Sequence, residues 1–248
     1  MNGRRATDDK VFMNRNQFPF YPVNLDIGGK RCLVVGGGTV AERKIKALLL
    51  CGGIVQIISP QVGEAIAELA AAGSVEWLKR SYREGDAEGA FLVFAATDDP
   101  DTQRRITADA KRCHVLLNSA DDAASSDFHV PAKIRRGDFV IAVSTGGGSP
   151  ALATLLKARL AEEYGEEYGI LVELMARLRR QVVNAGSIAE ENRTLFKAIL
   201  DQPVLDCIRQ HDWIGLTTLL EGILPSGLDS AMLVDQLVAD MKELQNNE

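Results

Sequence analysis

"LVVGGGTVAERK", residues 33–44, decides the fold. An apolar run ends in three glycines and passes at once into a polar, helix-prone stretch. Gly36-x-Gly38-x-x-Ala41 therefore sits between a strand and a helix, the context that a dinucleotide fingerprint requires. Gly36 permits a tight turn. Gly38 lets the backbone approach a pyrophosphate, and Ala41 keeps helix and strand close. Thr39 and Val40 lie at the helix start, where free amides and the helix dipole favour an anion. The competing reading is a glycine turn that only packs tightly. Strand, loop, helix and following strand together favour the nucleotide.

Outward from this loop the chain alternates. "RCLVV" (31–35), "IVQII" (54–58), "VEWL" (75–78), "FLVFAA" (91–96), "HVLLN" (114–118) and "FVIAV" (139–143) are short apolar runs. Such runs suit strands buried on both faces. Helical stretches lie between them. Residues 40–51 stop at Gly52-Gly53, a C-terminal signal. Residues 99–112 open with Asp99 as N-cap and Pro100 at the first helical position. This alternation predicts an α/β fold, a Rossmann-like doubly wound parallel sheet. Beyond residue 130 the pattern changes to one more strand, a glycine turn and a helix capped by Ser149 and started by Pro150. From 165 onward it reads as helices, with a break near Pro203. The expected organisation is an N-terminal extension (1–17), a nucleotide-binding domain (18–130), a small α+β segment (131–164) and a helical domain (165–248).

Composition bounds the rest. The 248 residues are 46% hydrophobic and 25% charged, with a net charge of −6. No basic excess exists to release phosphate counterions, which argues against a nucleic-acid partner. No apolar stretch approaches the roughly 20 residues that span a bilayer. Cys32, Cys51, Cys113 and Cys207 are scattered without metal or redox spacing. Reduced thiols and a cytoplasmic location are expected, and no resident metal.

In such sheets, ligands bind beyond the carboxyl ends of the strands. An acidic residue usually binds the ribose after the second strand. Here Gln56, Ser59, Pro60 and Gln61 stand around that point. Ser59 or Gln61 is left to bond the ribose, and no Arg stands there for a 2′-phosphate, so NAD is expected over NADP. After the fourth and fifth strands come "ATDDPD" (96–101) and "NSADDAASSDF" (118–128). Thr97, Asp98 and Asn118 are candidates for the nicotinamide half of the pocket. Asp99 reads as a cap only. Asp121 and Asp122 stand where substrate meets cofactor, with a solvated loop as the alternative. "STGGGSP" (144–150) lacks the Gly-Lys-Ser/Thr ending of a triphosphate loop. It reads as a turn and capped helix, or as Ser144 and Thr145 facing a substrate carboxylate. Lys133, Arg135 and Arg136 either pair with such carboxylates or make a solvated turn.

Four stretches in one order, "FPFYPVNLDIGGKRCLVVGGGTVAERK", "FAATDD", "DFHVPA" and "AVSTGGGSPALATLLKARL", resemble the precorrin-2 dehydrogenases of sirohaem synthesis. The resemblance runs from about Phe18 to Leu160. It implies NAD-dependent oxidation of precorrin-2 to sirohydrochlorin. The family's essential aspartate closes an N-V-V-D pattern. The matching N-S-A-D places a proton acceptor on Asp121, with Asp122 as fallback, while Ser119 and Ala120 depart from the usual valines. The resemblance also implies a homodimer formed through the 131–164 region. In bifunctional relatives the same aspartate assists insertion of iron or cobalt, so ferrous or cobaltous ion is a possible second substrate. His129, at a position the family often fills with an apolar residue, is a minor candidate for touching substrate or metal. His114 begins an expected strand and reads as structural. A non-catalytic NAD-sensing module is the remaining alternative; it leaves Asn118 and Asp121 without a purpose.

Overall fold

The computed structural model describes residues 20–120, 125–184, 189–225 and 227–246. These divide into two compact units, spanning 1–130 and 131–248. The extension expected over residues 1–17 lies outside the described residues.

The first unit is built on β1 (Arg31–Val35), α1 (Thr39–Leu50), β2 (Ile54–Ile58), α2 (Glu64–Ala71), β3 (Glu76–Leu78), β4 (Leu92–Ala95), α3 (Pro100–Cys113) and β5 (Leu116–Ser119). The five strands form one parallel sheet in the order β3-β2-β1-β4-β5. The order reverses at β1, between β2 and β4, which is the switch point where such sheets bind ligands. Strand β1 shows why the run was apolar throughout. Cys32 and Val34 pack with Ala41, Ile45 and Leu48 of α1 and Ile66 of α2. Leu33 and Val35 face the other side, with Ile106 and Ala110 of α3. Both faces are covered, so no polar alternation survives.

Helix ends follow the sequence signals. Gly52, at φ 73, follows α1. The Asp99 side chain accepts from the Asp101 and Thr102 amides at the start of α3. His114 departs from expectation. It is not the start of a strand but the left-handed C-cap of α3, at φ 54, and β5 begins two residues later. Between β3 and β4 the chain is fastened by buried Asp109 of α3. That carboxylate accepts from the Tyr82 hydroxyl at 2.5 Å, the Gly85 amide at 2.9 Å and Arg112.

The second unit holds β6 (Ala132–Arg136), β7 (Phe139–Val143), α4 (Pro150–Glu163), α5 (Glu167–Asn184), α6 (Ala189–Leu200), α7 (Val204–Arg209), α8 (Trp213–Glu221) and α9 (Ser230–Asn246). The run "FVIAV" is a strand, but not of the parallel sheet. It pairs antiparallel with β6, Arg136 opposite Phe139, across a two-residue turn. Gly137 supplies the positive φ of 55 that such tight hairpin turns need. The segment read as a possible basic turn, Lys133 to Arg136, is therefore a strand. Leu174 and Leu178 of α5, Ile199 of α6, Ile208 of α7, Leu216 of α8 and Leu237 of α9 centre a separate helical core.

Candidate active site

The site is built around the turn from β1 into α1. Gly36 has φ 127, and a β-carbon there would stand 2.0 Å from the Ala96 carbonyl oxygen. Gly37 is just as confined, by the Gln61 carbonyl oxygen at 2.1 Å, and its own carbonyl accepts the Gly63 amide at 2.9 Å. These two glycines let the ends of β1, β4 and the β2–α2 loop converge. Gly38 differs. Its φ of −87 suits any residue, and a β-carbon there would meet nothing within 4 Å. Open space therefore lies before α1. No side chain caps that helix start, whereas α3 is capped by Asp99 and α4 by Ser149. Backbone amides with no internal acceptor, beside a bare glycine facing open space, fit a phosphate-bearing ligand.

The strand ends around this turn are cross-linked. Ser59 is buried and its hydroxyl donates to the Gln61 carbonyl at 2.5 Å. Trp77 Nε1 donates to the Ser59 carbonyl at 2.9 Å. Ser59 thus shapes the loop, while Pro60 and Gln61 are exposed beside it. Thr97 Oγ1 accepts the Asp99 amide at 3.3 Å. Gln103, which the sequence reading passed over, joins two strand ends. Its Nε2 donates to the Thr97 carbonyl at 2.9 Å, and its Oε1 accepts the Ser119 hydroxyl at 2.8 Å. Asp98 lines an open cleft of about 520 Å³ along α3, with Gln103, Arg104, Lys111 and Ser125. No residue of the glycine loop lines that cleft. The Asp99 carboxyl is held below its usual range, first by the Thr102 hydroxyl and then by the Thr102 and Asp101 amides.

Asn118 is buried, and its Nδ2 donates to the Phe128 carbonyl at 2.9 Å. It fastens the chain beyond β5 and is committed to that contact. Asp121 and Asp122 lie outside the described residues. Beyond them, His129 stacks on Phe20 with ring centroids 4.2 Å apart. Its Nε2 is buried and has no hydrogen-bond partner among the described residues.

The remaining candidates lie in the second unit. Ser144 Oγ accepts the Gly146 amide at 3.2 Å, and Thr145 Oγ1 accepts the Ser149 amide at 3.1 Å. Both hydroxyls thus serve the turn before α4. Arg136 donates to the Tyr164 and Ala161 carbonyls at 3.2 and 3.3 Å and pairs with Glu166. It binds the C-terminal carbonyls of α4, a position that favours a cation. Arg135 donates to the Gly137 carbonyl at 3.3 Å. Lys133 lies partly exposed on β6, opposite Ala142. Among the described residues no cluster of three His, Cys, Asp or Glu could hold a metal ion. No helix among them is long and apolar enough to cross a membrane.

Residues 23–132 match the family model described as "Putative NAD(P)-binding". The siroheme synthase of Pseudomonas fluorescens strain SBW25 is 36% identical over 187 residues, covering 75% of this chain and 40% of the relative. That of Chromobacterium violaceum is 35% identical over 193 residues, covering 78% and 41%. Among solved structures, "SirC, precorrin-2 dehydrogenase" superposes with a TM-score of 0.71 at 27% identity. It covers 82% of this chain and 98% of that one. The chain thus spans about two fifths of the siroheme synthases it matches.

Proposed function

Because the chain belongs to the family that joins precorrin-2 dehydrogenases with the N-terminal region of sirohaem synthases, we propose that it oxidises precorrin-2 to sirohydrochlorin with NAD. The observation that carries the reading is Gly38, whose missing side chain faces open space before an uncapped helix. The pyrophosphate is held there by Gly36, Gly38, Thr39 and Val40 through backbone contacts, while Ser59, Pro60 and Gln61 border the ribose. Thr97, Asp98 and Asn118 stand at or behind the strand ends on the nicotinamide side.

NAD supplies a hydride acceptor. The chain supplies orientation and a proton sink. In this reading the Asp121 carboxylate takes the proton that leaves as the hydride departs, so one precorrin-2 yields one sirohydrochlorin, one NADH and one proton. A base within reach of the reacting carbon is typically worth about 10²–10⁴ in rate. Lys133 and Arg135 offer charge to the substrate's carboxylates, with Ser144, Thr145 and His129 as lesser contacts. Arg136 contributes by holding the hairpin. We further propose a cytoplasmic homodimer. Among the described residues no disulfide joins the cysteines. Helix α4 leaves Leu152 and Leu155 46% and 48% exposed and buries only Ala153, so an apolar face awaits a partner copy.

Anaerobic incubation with precorrin-2 and NAD tests the reading. Sirohydrochlorin and NADH are expected in equal amounts. NAD binding without turnover would reject it.

A further inference from the structure

The two flanks of the parallel sheet are finished differently. On β5 the outward amides of Leu117 and Ser119 donate to Asp127 Oδ2 and Ser126 Oγ, each at 2.9 Å. Strand β3, only three residues long, is instead tied inward. Trp77 lies opposite Ile57 of β2 and packs on the same core. Its indole reaches past that partner, and Nε1 donates at 2.9 Å to the carbonyl of Ser59, the first residue after β2. The Ser59 hydroxyl passes the restraint on, donating to the Gln61 carbonyl at 2.5 Å. That carbonyl oxygen is the atom a β-carbon on Gly37 would meet at 2.1 Å, and the Gly37 carbonyl accepts the Gly63 amide at 2.9 Å. An unbroken series of contacts thus runs from the indole to the residue before Gly38.

A dinucleotide site usually carries an acid for the ribose near this point. Here the buried Ser59 hydroxyl is turned to main chain, so the shape of the loop carries more of the recognition. We propose that Trp77 is a positioning residue for the cofactor: its N–H holds the β2–α2 loop in the form that borders the adenosine ribose. This rests on the placement of NAD at Gly38. The indole itself touches neither cofactor nor substrate. It acts because a loop already held in its bound form has less disorder to lose when the ligand arrives. No reacting group is altered, so the effect is confined to binding.

The test compares Trp77→Phe with the parental full chain, by titration with NAD and with ADP-ribose, which lacks the nicotinamide. Trp77→Phe keeps an aromatic ring against the core and removes the donor. Kd for both ligands is expected to rise about three- to tenfold, the effect of one lost hydrogen bond. In anaerobic turnover of precorrin-2, KM for NAD should rise by the same factor, with kcat changed less than about twofold. Without ligand, hydrogen exchange at the Gly63 amide should be faster than in the parental chain. If Trp77→Phe does not fold, replacing the Trp77 indole by its benzothiophene isostere carries the same test. Sulfur then takes the place of the N–H and the ring shape is kept; Trp213→Phe first removes the other tryptophan. A brace that serves folding alone would lower the melting temperature and leave both affinities parental, and that result overturns the proposal. So does a loss for NAD without one for ADP-ribose, a fall in kcat at parental affinity, or parental exchange at Gly63. A parental chain that binds neither ligand instead removes the placement of NAD at Gly38, whatever Trp77 does.

Discussion

Gly36 and Ala96 approach so closely that a β-carbon on the glycine would stand 2.0 Å from the alanine's carbonyl oxygen. Gly38, two residues on, has nothing within 4 Å of the same position. The two glycines therefore answer to different demands. Gly36→Ala is expected to destabilise the first unit by more than the roughly 1–3 kcal/mol of backbone strain alone, because main chain must move as well. Thermal unfolding should show it. Gly38→Asp should leave the melting temperature near parental and weaken NAD binding by about tenfold or more, through charge repulsion at the pyrophosphate. Equal NAD affinity in that variant would refute the cofactor placement.

The base assignment predicts a separation of binding from turnover. Asp121→Ala should lower kcat for precorrin-2 by about 10²–10⁴ while NAD affinity, read by titration, stays near parental. Asp122→Ala should stay close to the parental rate. A reversal of the two phenotypes transfers the role to the neighbouring carboxylate.

Asp109 makes a pH prediction. Burial alone would raise its carboxyl, but the Tyr82 hydroxyl, Arg112 and the Gly85 and Ala87 amides outweigh burial and hold it below the usual range. Tyr82 is pushed the opposite way, by burial first and then by the carboxylate. The carboxylate's stabilisation is complete above the ordinary Asp value near ~4 and disappears as pH falls through the lower folded value. Asp109→Asn should cost about 1–3 kcal/mol at neutral pH. The gap to the parental protein should narrow on acidification. A gap independent of pH, in urea melts from neutral to acid, would contradict this.

Arg136 and Lys133 separate packing from substrate contact. Arg136→Ala strips donors from the Ala161 and Tyr164 carbonyls and should lower stability by about 1–2 kcal/mol. Lys133→Ala should leave stability within about 0.5 kcal/mol and raise KM for precorrin-2. Unfolding curves and steady-state kinetics on the same preparations decide between the two roles.

Leu152→Asp together with Leu155→Asp tests the second copy. If the proposed homodimer holds, sedimentation should show two chains for the parental protein and a monomer for the variant.

Much of the first unit was legible because its chemistry is local. Strands covered on both faces read as apolar runs, as in Leu33–Val35, and caps such as Asp99 act within three residues. The hairpin was half legible. Phe139–Val143 was readable as a strand, but β6 carries Lys133, Arg135 and Arg136, which disguise its pairing. Its antiparallel pairing was not foreseen because nothing local distinguishes a strand of a hairpin from any other apolar run. His114 was misplaced since a left-handed cap on a non-glycine leaves no mark in sequence. The bonding of Asp127 and Ser126 to the outer side of β5 was illegible for a related reason. Asp127 and Ser126 imitate backbone with side-chain oxygens, and a sequence does not say when an acid will do that. Gln103, on an ordinary helix face, gave no sign that it would tie Thr97 to Ser119.

The plugged flank of β5 has a consequence for life at high concentration. A bare outer strand invites a neighbour's backbone to add on, and successive additions make fibres. Here one flank is occupied by oxygens borrowed from the chain itself. The other is β3, only three residues long, too short a template for recruitment. Among the described residues the sheet thus stops at five strands, and neither flank offers a long bare template for stacking copies.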